Sequence, residues 1–322
     1  MKAATIAVLA LGVLATAAPA AAQDKYPSKP ITIVVPQGPG GGNDTIARIW
    51  GQKLSEAIKQ PVTIDNRAGA GGNIGEAYAA KAPKDGYTLL LTLSSAHVTN
   101  PFLYKNAGFD PVKDFEPIGT VATAGYVLVA NPDFPANNVK ELIEIARKKP
   151  GEISYGSAGN GTLNHLLGEM LKTQAQIDIV HVPYKTAAAA VNDVMGGRVP
   201  ISFQSVPSAI SQIKSGKLKV LGVANEKRIP SMPNVPAIGE TLPGYGATPW
   251  YGLFAPAGTP KEIVAFVQRE NAKVLVDKDL QEKLALQGAE PYTLDTEQFA
   301  ALVKQELPRW QKIVKESGAT VD

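Results

Sequence analysis

The chain has 322 residues, with 32 Lys and Arg against 29 Asp and Glu, three His and no Cys, for a net charge of +3. Charge this close to balance excludes the concentrated basic surface that nucleic-acid binding needs, and the lack of Cys excludes disulfides, thiolate metal sites and a lipid-modified cysteine. The length exceeds one ordinary core and predicts roughly two domains.

Residues 1–22 read as a cleavable secretory signal. Met1-Lys2 is a positive start, Ala3 to Ala18 is apolar, and Ala20-Ala21-Ala22 places small residues at the A-x-A spacing before Gln23. The uncharged run is almost long enough to span a bilayer, but Pro19 and the alanine cluster favour cleavage. Cleavage leaves 300 residues carrying +2.

The β-type run Ile31 to Val35 feeds PQGPGGGNDTIAR, Pro36 to Arg48. A strand leading through a glycine-rich loop (Gln37, Gly38, Gly40, Gly41, Gly42, Asn43) to a helix N-terminus makes an anion site, because unpaired N–H groups and the positive end of the helix dipole point the same way. Asp44 is expected to cap that helix, with Arg48 paired to it four residues on, and Ile46, Ile49, Trp50, Leu54 and Ile58 forming its apolar stripe. Gln60-Pro61 stops the helix. A strand at Val62 to Asp65, a second glycine-rich turn into a helix, and the buried-strand run Tyr87 to Leu93 complete a β-α-β-α-β unit.

Beyond Asp114, two β-type runs, Ile118 to Thr123 and Tyr126 to Ala130, mark the passage to a second domain. An amphipathic helix, Val139 to Lys149, comes next. The opening arrangement then recurs: strand Ile153 to Tyr155, the loop Gly156 to Thr162 (GSAGNGT) and a helix, Leu163 to Thr173. Strands at Val180 to Tyr184, Ile201 to Gln204 and Leu218 to Ala224 alternate with helices at Ala187 to Met195 and Pro207 to Lys214. The Pro- and Gly-rich segment Arg228 to Pro249 reads as a return connection. A strand at Tyr251 to Ala255 and helices at Lys261 to Val276, Leu280 to Leu286 and Thr296 to Glu316 follow. If this C-terminal part packs on the first domain, the chain crosses twice and makes a hinge. The lobes are then 23–124 plus 247–322, and 125–246.

The two glycine loops facing each other across a cleft would suit a small molecule with carboxylates. Other chemistry is poorly supported. Ser157 lacks a nucleophile elbow because Tyr155 stands where G-x-S-x-G needs its first glycine, so its hydroxyl is cast as a carboxylate donor or helix cap. Among the histidines, His97 is placed toward the cleft by its loop, His165 packs or bonds the backbone, and His181 is structural. No H-x-x-x-H spacing, no G-x-x-x-x-G-K-[ST] and no complete G-x-G-x-x-G occurs, so neither metal nor cofactor is expected.

The series YPSKPITIVVPQGPGGGNDTIAR, NRAGAGGNIG, DGYTLLLT, DFEPIG, ISYGSAGNGTLNHLLGE, HVPYK, GGRV and WYGLFAPAGTP resembles the Bug-type solute-binding receptors of tripartite tricarboxylate transporters, in order along essentially the whole mature chain. The resemblance implies an α/β two-lobed periplasmic binding protein of type II, with a hinge between two α/β domains. It implies a monomeric receptor that clamps a di-, tri- or aromatic carboxylate and hands it to membrane permease subunits. Gly38 to Asn43 matches the family's first ligand loop, and Ser157, Ala158, Gly159, Asn160, Gly161 and Thr162 the second. Ser94, Ser95 and His97 match the stretch after the third strand, Tyr184 the VPY element, and Gln204 the end of a strand that is often acidic. The chain departs from VPYKG at Thr186. Two alternatives remain: the same receptor serving a membrane sensor kinase, and, more distantly, a secreted ester hydrolase using Ser157 with His165 or His97.

Overall fold

Near-continuous apolar runs become central strands because burial on both faces leaves no solvent side to pattern. In the computed structural model, which describes residues 26–317 and 321, β1 (Ile31–Val35) lies parallel between β2 (Val62–Asn66) and β3 (Thr88–Leu93), with Ile33 opposite both Ile64 and Leu89. The expected leader, 1–22, lies outside the described residues.

The first sheet has six strands in the order β11-β4-β10-β3-β1-β2, where β4 is Phe115–Ala124, β10 Trp250–Pro256 and β11 Ala289–Pro291. The second has five, in the order β7-β6-β8-β5-β9: β5 is Tyr126–Ala130, β6 Ser154–Ser157, β7 Val180–Pro183, β8 Ile201–Ser205 and β9 Lys219–Val223. The C-terminal strand β10 enters the first sheet antiparallel to both β3 and β4. Sequence reading did not find the short β11, whose Ala289-Glu290-Pro291 has no apolar alternation.

Helices α1 (Gly42–Ile58), α2 (Asn73–Ala80) and the short α3 (Asn100–Leu103) belong to the first half. Helices α4 (Val139–Lys148), α5 (Leu163–Ala175), α6 (Ala187–Met195) and α7 (Val206–Lys214) surround the second sheet, and α8 (Lys261–Leu275), α9 (Lys278–Leu286) and α10 (Thr296–Ser317) follow β10. The stripe of α1 buries Ile46, Trp50 and Leu54. The Trp50 indole donates to Asn271 on α8 at 2.8 Å, and Asn271 donates to the Thr120 carbonyl on β4, so the C-terminal helices are locked to the first sheet. α10 packs against β4 and also reaches α5 beside the second sheet.

Only Gly125 separates β4 from β5, while the return passage runs from Ala224 to Pro249. The crossings lie side by side. Asn225 accepts from the Tyr126 amide at 2.7 Å, and Ala224 N donates to the Tyr126 carbonyl at 2.7 Å. Two adjacent strand-like links are the geometry of a hinge, since rotation about them leaves each sheet intact. Among the described residues, no helix is long and apolar enough to cross a membrane.

Candidate functional site

Helix α1 begins at Gly42, not at Asp44 as expected: Gly41 is its N-cap, with extended backbone and no capping side chain. Asp44 sits in the first turn and serves the loop. Its carboxylate accepts from Gly40 N at 3.0 Å and from Asn66 Nδ2 at 3.0 Å, and pairs with Arg48 at 2.8 Å. Burial alone would raise the Asp44 pKa, but these partners outweigh it and hold the carboxyl below its ordinary value. Asn43 bonds the Gln37 side chain and the Leu91 carbonyl, fixing the loop over β3. The glycines leave α1's first N–H groups without a side-chain cap.

The second loop is built the same way. Thr162 is the N-cap of α5 but caps nothing with its side chain; its hydroxyl donates to the Gly159 carbonyl at 2.7 Å. Ser157 Oγ accepts from Gly159 N at 3.0 Å and lies 2.6 Å from His181 Nε2. His181 stacks between Tyr155 and His165. Burial, then the neighbouring His165 and Lys172, push the His181 pKa down to about 3, and burial also lowers His165. Both rings are therefore neutral at neutral pH, and the positive character of this loop comes from its amides.

Both loops line one cavity of about 800 Å³ between the sheets. The N-terminal ends of α1, α5, α6 and α7 all border it, through Gly41 to Asn43, Thr162 to Asn164, Thr186-Ala187 and Ser205. Lys185 is the one charged side chain among the described lining residues, none of which carries a carboxylate side chain. Helix ends, amides and a single lysine make a field that favours an anion, since no described lining side chain is negative. The walls meet at its rims. Gly42 has no room for a side chain: a Cβ there would lie 2.4 Å from Ser205 Oγ and 3.0 Å from Tyr251 Oη. At Gly38 it would lie 2.7 Å from the Thr186 methyl.

Of the residues singled out from sequence, Gln37, Gly38, Gly41, Gly42, Asn43, Ser95, Ala158, Gly159, Asn160, Thr162 and Tyr184 border the cavity. Gly40, Ser94, His97, Ser157, Gly161 and Gln204 are not among its lining residues. His97 is a correction. Instead of a loop facing the cleft, Ser95–Thr99 forms a buried π-helical turn, and His97 is wholly buried with Nδ1 3.0 Å from Glu76 and Nε2 3.0 Å from the Pro111 carbonyl. Gln204 is also buried, donating to Ser202 Oγ at 2.7 Å, because the alternation of β8 turns its side chain away from the cavity. Ser157 is buried and engaged by His181, while His165 accepts from Gly161 N at 3.3 Å, so neither is arranged as a nucleophile–base pair toward the cavity.

Sequence reasoning missed Tyr104, Tyr126, Asn164, Lys185, Thr186, Ala187 and Ser205 on the wall, and left the Gly69 to Gly72 turn, which also lines it, undecided between packing and contact. Thr186 and Ser205 carried a usable signal. Each is a hydroxyl residue directly before a helix, the same strand-to-helix position as the two loops, but without glycines to mark it.

Residues 46–319 match the family described as the tripartite tricarboxylate transporter family receptor. Protein BugT of Bordetella pertussis is 35% identical over 305 residues, covering 94% of this chain and 93% of that protein. An R. palustris protein solved with adipate superposes with a TM-score of 0.88 at 35% identity, covering 92% of this chain and 99% of the other. MatC from Rhodopseudomonas palustris, solved with bound malate, gives 0.85 at 29% identity, covering 90% of this chain and 100% of that one.

Proposed function

Because the chain belongs to the tripartite tricarboxylate transporter receptor family, in which it acts as a solute-binding receptor, we propose that it captures a small di-, tri- or aromatic carboxylate between its lobes and hands it to the membrane permease subunits of such a transporter. One observation carries the carboxylate. The uncapped N-termini of α1 and α5 border the same cavity, from opposite sheets, with no acidic side chain on its described wall. Solved relatives hold adipate and malate.

The lobes run 23–124 plus 247–322 and 125–246, a division supported by the strand membership of the two sheets. Ligand contact falls to the main chain of Gly41 to Asn43, of Ala158 to Asn160 and of Thr162, with Gln37, Gly38, Ser95 and Tyr184 completing the wall. Each charge-assisted amide bond contributes about 1.5 to 3 kcal/mol net. A few at each end, less the ordering costs, reach about −8 kcal/mol, a micromolar affinity. Closure excludes water and strengthens each bond, so the occupied receptor is the closed one that the permease distinguishes. Capture involves no covalent change, a reading supported by the engaged, buried Ser157. The leader places the mature, monomeric protein in the periplasm, where the relative BugD is described as a periplasmic binding protein.

A thermal-shift screen of carboxylates against their amides and against sugars tests this. Carboxylates at about a hundred times Kd add ~2.7 kcal/mol and raise the midpoint. Stabilisation by sugars or amides alone would overturn it.

A further inference from the structure

The two halves are joined by a directional bond: Tyr104 Oη, just past α3, donates to the Asn160 carbonyl in the second glycine loop at 2.9 Å. The phenol is seated between glycines from both sides. A Cβ on Gly71 would come within 2.9 Å of Tyr104 Oη and one on Gly161 within 2.6 Å, and both glycines have positive φ, +66° and +77°. The socket is held in place from behind. Tyr104 N donates to the Asn100 carbonyl at 3.0 Å, and Asn100 Nδ2 donates to the Gly71 carbonyl at 3.1 Å and to Asn73 at 2.7 Å. The approach of Gly38 to Thr186, where an added Cβ would lie 2.7 Å from the methyl, is apolar and has no such directionality.

We infer that Tyr104 is a closure latch and a positioning residue: it fastens the Asn160 turn to the first lobe, and so aims the α5 amides into the cavity. The inference rests on the receptor reading. In the closed form the phenol and carbonyl meet; in the open form both are hydrated. The latch therefore shifts the open-to-closed balance by the net strength of one hydrogen bond, about two- to tenfold. Asn160 presents a backbone carbonyl, so the latch works whichever ligand is bound.

The chain has no Cys, so probes attached at Lys81→Cys and Lys148→Cys, both exposed and on opposite lobes, report the inter-lobe distance of the ligand-free protein. Tyr104→Phe keeps the ring and is expected to lower the closed-to-open ratio about two- to tenfold at a near-wild-type thermal midpoint. Tyr104→Ala, which also empties the socket, shifts it further. A Tyr104→Phe distance distribution identical to wild type overturns the latch, and so does a fall in thermal midpoint with that distribution unchanged, which would make the tyrosine a packing residue. No ligand is in the sample, so failure of every carboxylate in the screen bears on the ligand class and leaves this measurement intact.

Discussion

Ser157 Oγ and His181 Nε2 lie 2.6 Å apart, and this contact ties the second glycine loop to the protonation of a histidine behind it. In the tautomer protonated at Nδ1, the neutral imidazole accepts the Ser157 proton at Nε2, leaving the serine oxygen to receive Gly159 N at 3.0 Å. Protonated, His181 becomes a donor and the serine must turn. The sign is that of a depressed histidine. Its folded pKa is about 3 against 6.5 for the free side chain, so its contribution is full above pH 6.5 and is lost as pH falls toward 3, where only the unfolded chain takes up the proton. His165, lowered by burial, acts in the same direction. Thermal midpoints should fall between pH 7.5 and pH 5, and His181→Gln should reduce that fall. An undiminished pH slope in the variant would exclude His181 as its source.

Gly42→Ala should damage binding more than folding. The added methyl meets Ser205 Oγ and Tyr251 Oη, both on short or rigid supports. Overpacking of this kind costs about 1 to 3 kcal/mol, and here the strain falls on the approach of β8 to α1. Calorimetry with the best carboxylate from the screen should show at least tenfold weaker affinity with a small change in thermal midpoint.

Removing Glu76 should unfold rather than blind the protein. Glu76 accepts from Thr92 at 2.5 Å, lies 3.0 Å from His97, and both Glu76 and His97 are wholly buried. Deleting the carboxylate leaves the buried Thr92 hydroxyl and the His97 ring without this partner, at about 1 to 3 kcal/mol for each unsatisfied group. Glu76→Ala should lower the denaturant midpoint strongly while the folded fraction binds normally. Selective loss of binding at full stability would return His97 to the ligand site.

Lys185→Ala should act on rate more than on grip. Lys185 is exposed and is the only charged side chain on the described cavity wall. Its pull on an incoming anion is screened by salt over about 10 Å at 0.1 M. Stopped-flow association should slow at low ionic strength and converge with wild type at high salt. A salt-independent loss would instead mean a direct ion pair.

Each strand-to-helix junction carrying glycines could be located from sequence, because the strain-free turn and the open approach to backbone amides demand that residue type locally. The same holds for strands: β1, β3 and β5 are near-continuous apolar runs, and that pattern is written in the run itself. Thr186, Ser205 and Tyr104 reach the cavity for a different reason. Their positions depend on β7, β8 and the return strand β10 lying where they do across two sheets, and no local pattern encodes that distance. His97 shows the converse: its residue type and loop position suggested exposure, and only the packing of Glu76, Pro111 and Phe254 around it decided burial. Local chemistry therefore determined which segments offer donors to an anion. Which donors share one cavity, and which polar side chains were consumed in holding it together, was settled by long-range packing, where burial selects partners that sequence spacing does not constrain.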